Sequence, residues 1–299
     1  MDAPLAKILL ATDGSPDAAL AARAAVDLSN TMGSELYVTH AWQLVMSYVP
    51  YPAGGTDLYE VYERRARELL DKQVNEIEVL GGTVAGSHVV MNSPIDGILD
   101  LCEELEPGLV VLGSRGLGPV RRILVGSVSE GVVHHASCPV LVVRGGQEAW
   151  PPRRIVIGDD GSDDAKGAAK LAARIGGLFG AEGALVQAYP KPLETIEDWV
   201  EPNLRKLHED WPPRDEESLE QRAQEMEKIL GSRPEIRISE GDAAAAILEV
   251  AGEGDEARAL LAVGSRGLGV IRRVRFGSVS TKILRAAGGP VLVYPHTRS

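Results

Sequence analysis

The amino-acid sequence repeats itself once, and this repeat constrains the fold more than any other feature. Lys7–Ser15 (KILLATDGS) returns 147 residues later as Arg154–Ser162 (RIVIGDDGS), and Glu35–Ala41 returns as Glu182–Ala188 at the same offset. Gly113–Ser129, GSRGLGPVRRILVGSVS, returns as Gly264–Ser280, GSRGLGVIRRVRFGSVS, with 12 of 17 positions identical and the offset grown to 151. Cys138–Arg144 (CPVLVVR) matches Gly289–Pro295 (GPVLVYP). Four matches in the same order are the mark of a duplication. The small drift in offset confines insertions to the connections between matched blocks. The 299 residues therefore divide into two domains of ordinary length, residues 1–147 and 152–299.

Within each copy, short apolar runs alternate with helical patterns. In the first copy Ile8–Thr12, Leu36–His40, His88–Met91, Leu109–Leu112 and Val140–Val143 read as strands. They are rich in Val, Ile and Leu and largely apolar throughout, as strands covered on both faces are. Between them lie apolar residues at helical spacing, such as Ile95, Ile98, Leu99, Cys102 and Leu105, with Ser93 as N-cap and Pro94 in the first turn. Alternation of this kind implies right-handed crossovers and a parallel sheet of about five strands per domain. The expected fold class is α/β: two tandem Rossmann-like domains, each a five-stranded parallel sheet flanked by helices. The scarcity of aromatics, 4% against 44% hydrophobic residues, suits close helix packing better than an all-β sandwich.

The 17-residue block holds the residues suited to chemistry. It reads G-x-x-G-(nine residues)-G-S: Gly113, Gly116, Gly126 and Ser127 in the first copy, Gly264, Gly267, Gly277 and Ser278 in the second. Glycines at the carboxyl end of a strand let backbone N–H groups approach a ligand with no β-carbon in the way. Successive N–H groups form a concave seat for an anion. The later Gly-Ser opens a helix whose first N–H groups and positive dipole end favour phosphate. In an open parallel sheet, ligands also sit beyond the carboxyl ends of the strands, where these loops emerge. A purely structural reading stands beside this one. Glycines after strands often only turn the chain, and Ser127 with Glu130 has the spacing of a capping box. Positions such as Leu124 and Val125 have diverged to Arg275 and Phe276, while all four motif positions agree.

Bulk properties exclude several classes. The formal charge is −12, with 10 basic and 18 acidic residues before Gly145 and 21 and 25 after it, so neither half offers an extended footprint for nucleic acid. No apolar run approaches the roughly 18 residues of a membrane helix, and the N-terminus does not read as a signal peptide. The two cysteines, Cys102 and Cys138, show no disulfide or metal spacing, which points to a reducing cytoplasm. The His134–His135 pair reads as ordinary helix-face residues, and no metal site is expected. Trp42–Tyr62 and Tyr189–Arg222 read as variable loops running into long helices, either surface packing or a lid or contact surface. No G-x-x-x-x-G-K-[ST] phosphate loop is present, and no G-x-G-x-x-G follows the first strand.

The glycine block, preceded by an opening strand that ends in Asp-Gly-Ser and followed by a closing Pro-Val-Leu-Val strand, resembles the ATP-binding type of universal stress protein. The resemblance covers essentially the whole chain, once per half, as in tandem-domain members. It implies the adenine nucleotide alpha hydrolase-like variant of the fold, with ATP at the strand ends of each domain. It places Asp13 and Gly14, and Asp160 and Gly161, beside the adenosine. Ala41 with Leu112, and Ala188 with Val263, would line the base pocket. Ribose and phosphates would fall to Gly113, Ser114, Gly116, Leu117, Gly118, Gly126, Ser127, Val128 and Ser129. Their counterparts are Gly264, Ser265, Gly267, Leu268, Gly269, Gly277, Ser278, Val279 and Ser280. Arg115 and Arg266 would be phosphate neighbours or solvated loop charges. The second copy has Gly241-Asp242-Ala243 where the first has Asn92-Ser93-Pro94, a departure that bears on equal affinity of the two sites.

The function so implied is a nucleotide-dependent regulatory protein that holds ATP, with magnesium carried on the phosphates, and does not turn it over. A slow ATPase using the same sites, and an interaction module whose glycine loops are structural, are the competing readings. The expected partners are ATP and, within the chain, the other half, joined through the closing strands Val140–Val143 and Val291–Tyr294 because an exposed apolar edge strand is a liability. A homodimer of whole chains is a further candidate arrangement, whereas nucleic acid and membranes are not expected partners.

Overall fold

The computed structural model describes residues 5–43, 58–116, 125–189, 216–252, 258–266 and 277–296. The chain forms two compact units, Met1–Trp150 and Pro151–Ser299. In the first, β1 (Lys7–Ala11), α1 (Pro16–Met32), β2 (Glu35–Trp42), α2 (Leu58–Val79), β3 (Val84–Met91), α3 (Pro94–Leu105), β4 (Leu109–Gly113), α4 (Ser127–His135) and β5 (Val140–Val143) follow in strict alternation. The strands lie in the order β3-β2-β1-β4-β5, and every pairing is parallel. The second unit repeats the plan with β6 (Arg154–Gly158), α5 (Asp163–Phe179), β7 (Glu182–Tyr189), α6 (Glu216–Leu230), β8 (Glu235–Glu240), α7 (Ala243–Gly252), β9 (Ala259–Gly264), α8 (Ser278–Ala286) and β10 (Val291–Tyr294). Its order is β8-β7-β6-β9-β10, again all parallel. The expected α/β class with two parallel five-stranded sheets is what the chain adopts.

Local chemistry explains the first helix of each unit. Ser15 caps α1 by accepting a hydrogen bond from the Ala18 N–H at 3.2 Å, Pro16 occupies the first turn, and Gly33 ends the helix in the left-handed region. Ser162 and Gly180 do the same for α5. Both helices turn alanine-rich faces to the sheet: Ala18, Ala21, Ala22 and Ala25 in one, Ala165, Ala168, Ala169 and Ala172 in the other, all buried. Small side chains let the helix axis approach closely, which brings the starts of α1 and α5 against the ends of β4 and β9.

The strands differ from expectation in one respect. β1 and β4 are buried almost throughout, as strands covered on both faces are. β3 begins four residues earlier than the apolar run His88–Met91 and has no fully buried residue. It lies at the end of the strand order, where one flank has no neighbour within its unit, and so its alternating Val84, Gly86 and His88 need not be uniformly apolar. β8 occupies the same place in the second unit and is likewise partly exposed. Most of the two Trp- and Pro-rich segments lies outside the described residues. Their flanks do not: Trp42 closes β2 and stacks against Tyr62 of α2, ring centroids 6.4 Å apart.

Candidate functional site

The carboxyl end of the first sheet gathers three pieces of backbone from distant parts of the sequence. The β1–α1 turn carries Thr12, Asp13 and Gly14. Asp13 accepts a hydrogen bond from the Ser15 N–H through Oδ1 at 3.0 Å, and Gly14 adopts φ +75°, a conformation that L side chains rarely take. The end of β4 supplies Gly113, Ser114, Arg115 and Gly116. The start of α4 supplies Gly126, Ser127, Val128 and Ser129. Ser15 donates from its hydroxyl to the Arg115 carbonyl at 3.0 Å, which ties the first piece to the second. The Gly126 N–H donates to the Ser114 carbonyl at 2.7 Å, and the Ser129 hydroxyl donates to the same carbonyl at 2.9 Å, which ties the third to the second.

The start of α4 corrects the capping-box reading. The N-cap is Gly126, not Ser127, and no side chain caps the helix among the described residues. Ser127 is the first helical residue and is exposed, while Ser129 turns its hydroxyl inward to the β4 end. A helix start with a glycine N-cap leaves the early backbone N–H groups directed outward, where an anion can take them. The same arrangement recurs at α8. Gly277 is its N-cap with no side-chain cap, the Gly277 N–H donates to the Ser265 carbonyl at 2.7 Å, and Ser280 donates to that carbonyl at 3.2 Å.

Ala41, on β2, and Leu112, at the end of β4, lie at the same sheet end; Ala188 and Val263 hold these places in the second unit. Gly161 takes φ +85° in the β6–α5 turn, and the Ser162 N–H donates to Asp160 Oδ1 at 3.0 Å. Gly264 ends β9, and Ser265 and Arg266 follow it directly. Gly116 faces Asp13, since a β-carbon added there would lie 2.3 Å from Asp13 Oδ2. Leu117, Gly118, Gly267, Leu268 and Gly269 fall outside the described residues.

Two acidic residues that the motif reading passed over organise the charges. Asp17, in the first turn of α1, accepts a hydrogen bond from the Ser114 hydroxyl at 2.7 Å and pairs with Arg115 Nε at 3.3 Å. Arg144, at the end of β5, is buried. Burial lowers its guanidinium to about 10, and Asp17 opposes that shift. In the second unit Asp164 takes the role of Asp17, accepting from Ser265 at 3.5 Å and contacting His296 Nδ1 at 3.1 Å. The repeat carried the signal for this pair: extending the first matched block by two residues aligns Asp17 with Asp164.

The floor of the site also differs between copies. Thr12 donates to Gln73 Oε1 of α2 at 2.8 Å, a neutral buried bond. At the matching positions Asp159 and Arg222 form a buried ion pair at 2.5 Å, and the Gly161 N–H donates to Asp159 at 2.8 Å. Burial raises the Asp159 carboxyl above its ordinary value despite the opposing pull of Arg222. The Gly241-Asp242-Ala243 departure, in contrast, keeps its local role. Asp242 accepts from the Ala245 N–H at 2.9 Å as Ser93 accepts from Asp96, and adds an ion pair to Lys282.

Two α/β units, each with a parallel sheet and a helix start without a side-chain cap beside a glycine strand end, define a tandem protein with one anion-suited helix start per domain. Comparison with known proteins gives that class its family. The profile of the universal stress protein family matches residues 5–144 and again residues 152–295, and the chain belongs to that family. A universal stress protein of Mycolicibacterium smegmatis is 26% identical over 302 residues, covering 96% of each chain. The crystal structure of a universal stress protein from Archaeoglobus fulgidus superposes with a TM-score of 0.67 at 22% identity, over 97% of this chain and 96% of that one. The family also includes a universal stress protein solved in complex with cAMP, 20% identical and matching 48% of this chain with a TM-score of 0.39.

Proposed function

We propose that this protein binds ATP, one molecule per domain, and acts as a nucleotide-dependent regulator of the stress-response type rather than as an enzyme. The observation that carries this reading is the repeated pairing of a glycine N-cap with the strand end beside it, Gly126 on Ser114 and Gly277 on Ser265, each through a 2.7 Å backbone bond. A β-carbon at either glycine would crowd the Ser114 or Ser265 carbonyl, at 3.2 and 3.3 Å, and a Ser or Asp cap would besides occupy the very N–H groups that glycine leaves open. The polyphosphate sits at the starts of α4 and α8, and the adenosine lies toward Asp13 and Asp160 with Ala41 and Ala188 beneath the base. Magnesium enters on the phosphates and needs few protein ligands. Among the described residues there is no cluster of His, Cys, Asp or Glu able to hold a metal on its own.

The chain works in the cytoplasm on this reading, and no helix among the described residues is long and apolar enough to cross a membrane. On this reading its two halves associate through their closing strands, and association of two chains into a homodimer is a further arrangement open to it. Denaturing freshly purified protein and separating the released small molecules by ion-exchange chromatography tests the ligand. Adenine nucleotide approaching one equivalent per domain is expected. Nucleotide-free protein that also fails to take up added ATP would favour glycine loops that are only structural.

A further inference from the structure

Ser114 follows β4 directly and is 1% exposed, with every polar group engaged. Its N–H donates to the Val143 carbonyl of β5 at 2.9 Å, and its carbonyl takes the Gly126 N–H at 2.7 Å and the Ser129 hydroxyl at 2.9 Å. Its own hydroxyl donates to Asp17 Oδ2 at 2.7 Å. One residue thus joins β4, β5, α1 and α4. Ser265 is the same junction in the second unit: its N–H donates to the Tyr294 carbonyl at 2.7 Å, its carbonyl accepts from Gly277 and Ser280, and its hydroxyl faces Asp164. Both acids lie in the first turn of a helix, where any carboxylate suits the dipole. A carboxylate that served the dipole alone would have no need of burial. Asp163 stands at the same helix start with its side chain 91% exposed, whereas Asp164 and Asp17 are turned inward, at 5% and 14%.

We propose that Asp17 and Asp164 are positioning residues for the two nucleotide sites, acting through the hydroxyls of Ser114 and Ser265, a role that rests on the ATP reading above. A carboxylate beside an anion seat opposes the ligand's charge, so its contribution there is one of position. The Ser114 hydroxyl, held by Asp17, fixes the strand end whose carbonyl receives Gly126. That backbone bond sets the start of α4, whose first N–H groups are the proposed phosphate donors. Without the carboxylate, a buried hydroxyl is left short of its acceptor, and the strand end shifts to relieve it. The two copies are unequal in this respect. Ser114 reaches Asp17 at 2.7 Å, a firm bond. Ser265 reaches Asp164 at 3.5 Å, the limit of one, and the other oxygen of that carboxylate lies 3.1 Å from His296 Nδ1. Asp17 therefore governs its site more strongly than Asp164 does.

The backbone amide signals of Gly126 and Gly277 read the two helix starts separately by NMR of the full chain. Hydrogen exchange is measured first without nucleotide, and the same signals are then followed as ATP with magnesium is added. Asp17→Ala should speed exchange at Gly126 by about tenfold more than at the amides of β1, the loss of one charge-assisted bond. Asp17→Asn keeps an oxygen for the Ser114 hydroxyl but drops the charge that pairs with Arg115. Exchange at Gly126 should then return to within about threefold of wild type. The Kd read at Gly126 should rise about tenfold in Asp17→Ala and recover in Asp17→Asn, while the Kd read at Gly277 should rise less in Asp164→Ala. Ser114→Ala removes the same bond and strands no hydroxyl, so it should shift Gly126 exchange and Kd in the same direction even where Asp17→Ala fails to fold. An even loss of protection across the first domain, Asn behaving as Ala does, or an unchanged Kd at Gly126 in Asp17→Ala and Ser114→Ala would overturn the proposal. Wild-type signals indifferent to ATP would instead remove the ATP reading, and the nucleotide role of Asp17 with it, whatever the exchange rates show.

Discussion

A β-carbon added to Gly113 would lie 2.6 Å from the Asp17 carbonyl carbon and 2.7 Å from the Ala18 nitrogen, and one at Gly264 would lie 2.7 Å from Asp164 Cβ. The strand end meets the helix start at both places through glycine alone. Gly113 and Gly264 are therefore accounted for by packing before any ligand is considered. Replacing either with alanine forces backbone apart and should destabilise its domain by about 1 to 3 kcal/mol, read as a lower urea midpoint. Asp159 and Arg222 make a second test at this scale. Arg222→Gln alone leaves a buried carboxylate without its partner and should cost about 3 to 5 kcal/mol. The double change Asp159→Thr with Arg222→Gln copies the Thr12–Gln73 pair of the first domain and should recover most of that loss or exceed wild type. The sign with pH follows from burial. The folded carboxyl of Asp159 lies above its ordinary 3.8, so its contribution to stability is fullest below that value and is lost as pH rises through the raised one. The double variant should lack that decline. A double-mutant cycle by urea denaturation across this pH range checks both statements.

At the scale of elements, the starts of α4 and α8 separate binding from folding. Ser127 and Ser278 are exposed first-turn residues. Glutamate there suits the helix dipole and leaves the helix intact, yet it sets a carboxylate where the proposed nucleotide would place its phosphates. Ser127→Glu and Ser278→Glu should each keep the wild-type thermal midpoint within about 2 °C while abolishing nucleotide uptake in their own domain. Much of this arrangement was legible in the sequence. Ser15-Pro16 and Ser93-Pro94 announce helix starts because a cap and a first-turn proline act through local backbone chemistry. The closing strand Val140–Val143 has the limits that its apolar run suggests. β3 was legible only in part, because a terminal strand lacks the two-sided burial that makes a run uniformly apolar. The Thr12–Gln73 bond was not legible, since it joins side chains that only the packing of helices on the sheet brings together. Ser127 was misread as a cap because serine favours that position on average, whereas here the glycine before it holds the bond to Ser114.

Across the whole molecule, holding ATP and hydrolysing it make different demands. Hydrolysis needs a positioned water, an orienting or basic residue, and charge on the transferring phosphoryl group. Neither 17-residue block contains a carboxylate, a glutamine or a phosphate-loop lysine. Arg115, just past the end of β4, pairs with Asp17. Donors that serve the ground and transition states alike do not speed the chemical step. Multiple-turnover phosphate release should stay well below ~1 s⁻¹. A rate at or above that figure, lost in the Ser127→Glu, Ser278→Glu double variant, would make the protein an ATPase.

One proposed ATP site in each of two duplicated domains is a stoichiometry that titration of ATP with magnesium into the full chain reads in a calorimeter. Saturation is expected at one ATP per domain with dissociation constants of about micromolar or tighter, near 8 kcal/mol of binding free energy. Stoichiometry should halve in Ser127→Glu and again in Ser278→Glu, and vanish in the double variant. Absence of saturable heat with wild-type protein shown to be nucleotide-free, or full stoichiometry persisting in the double variant, would contradict it.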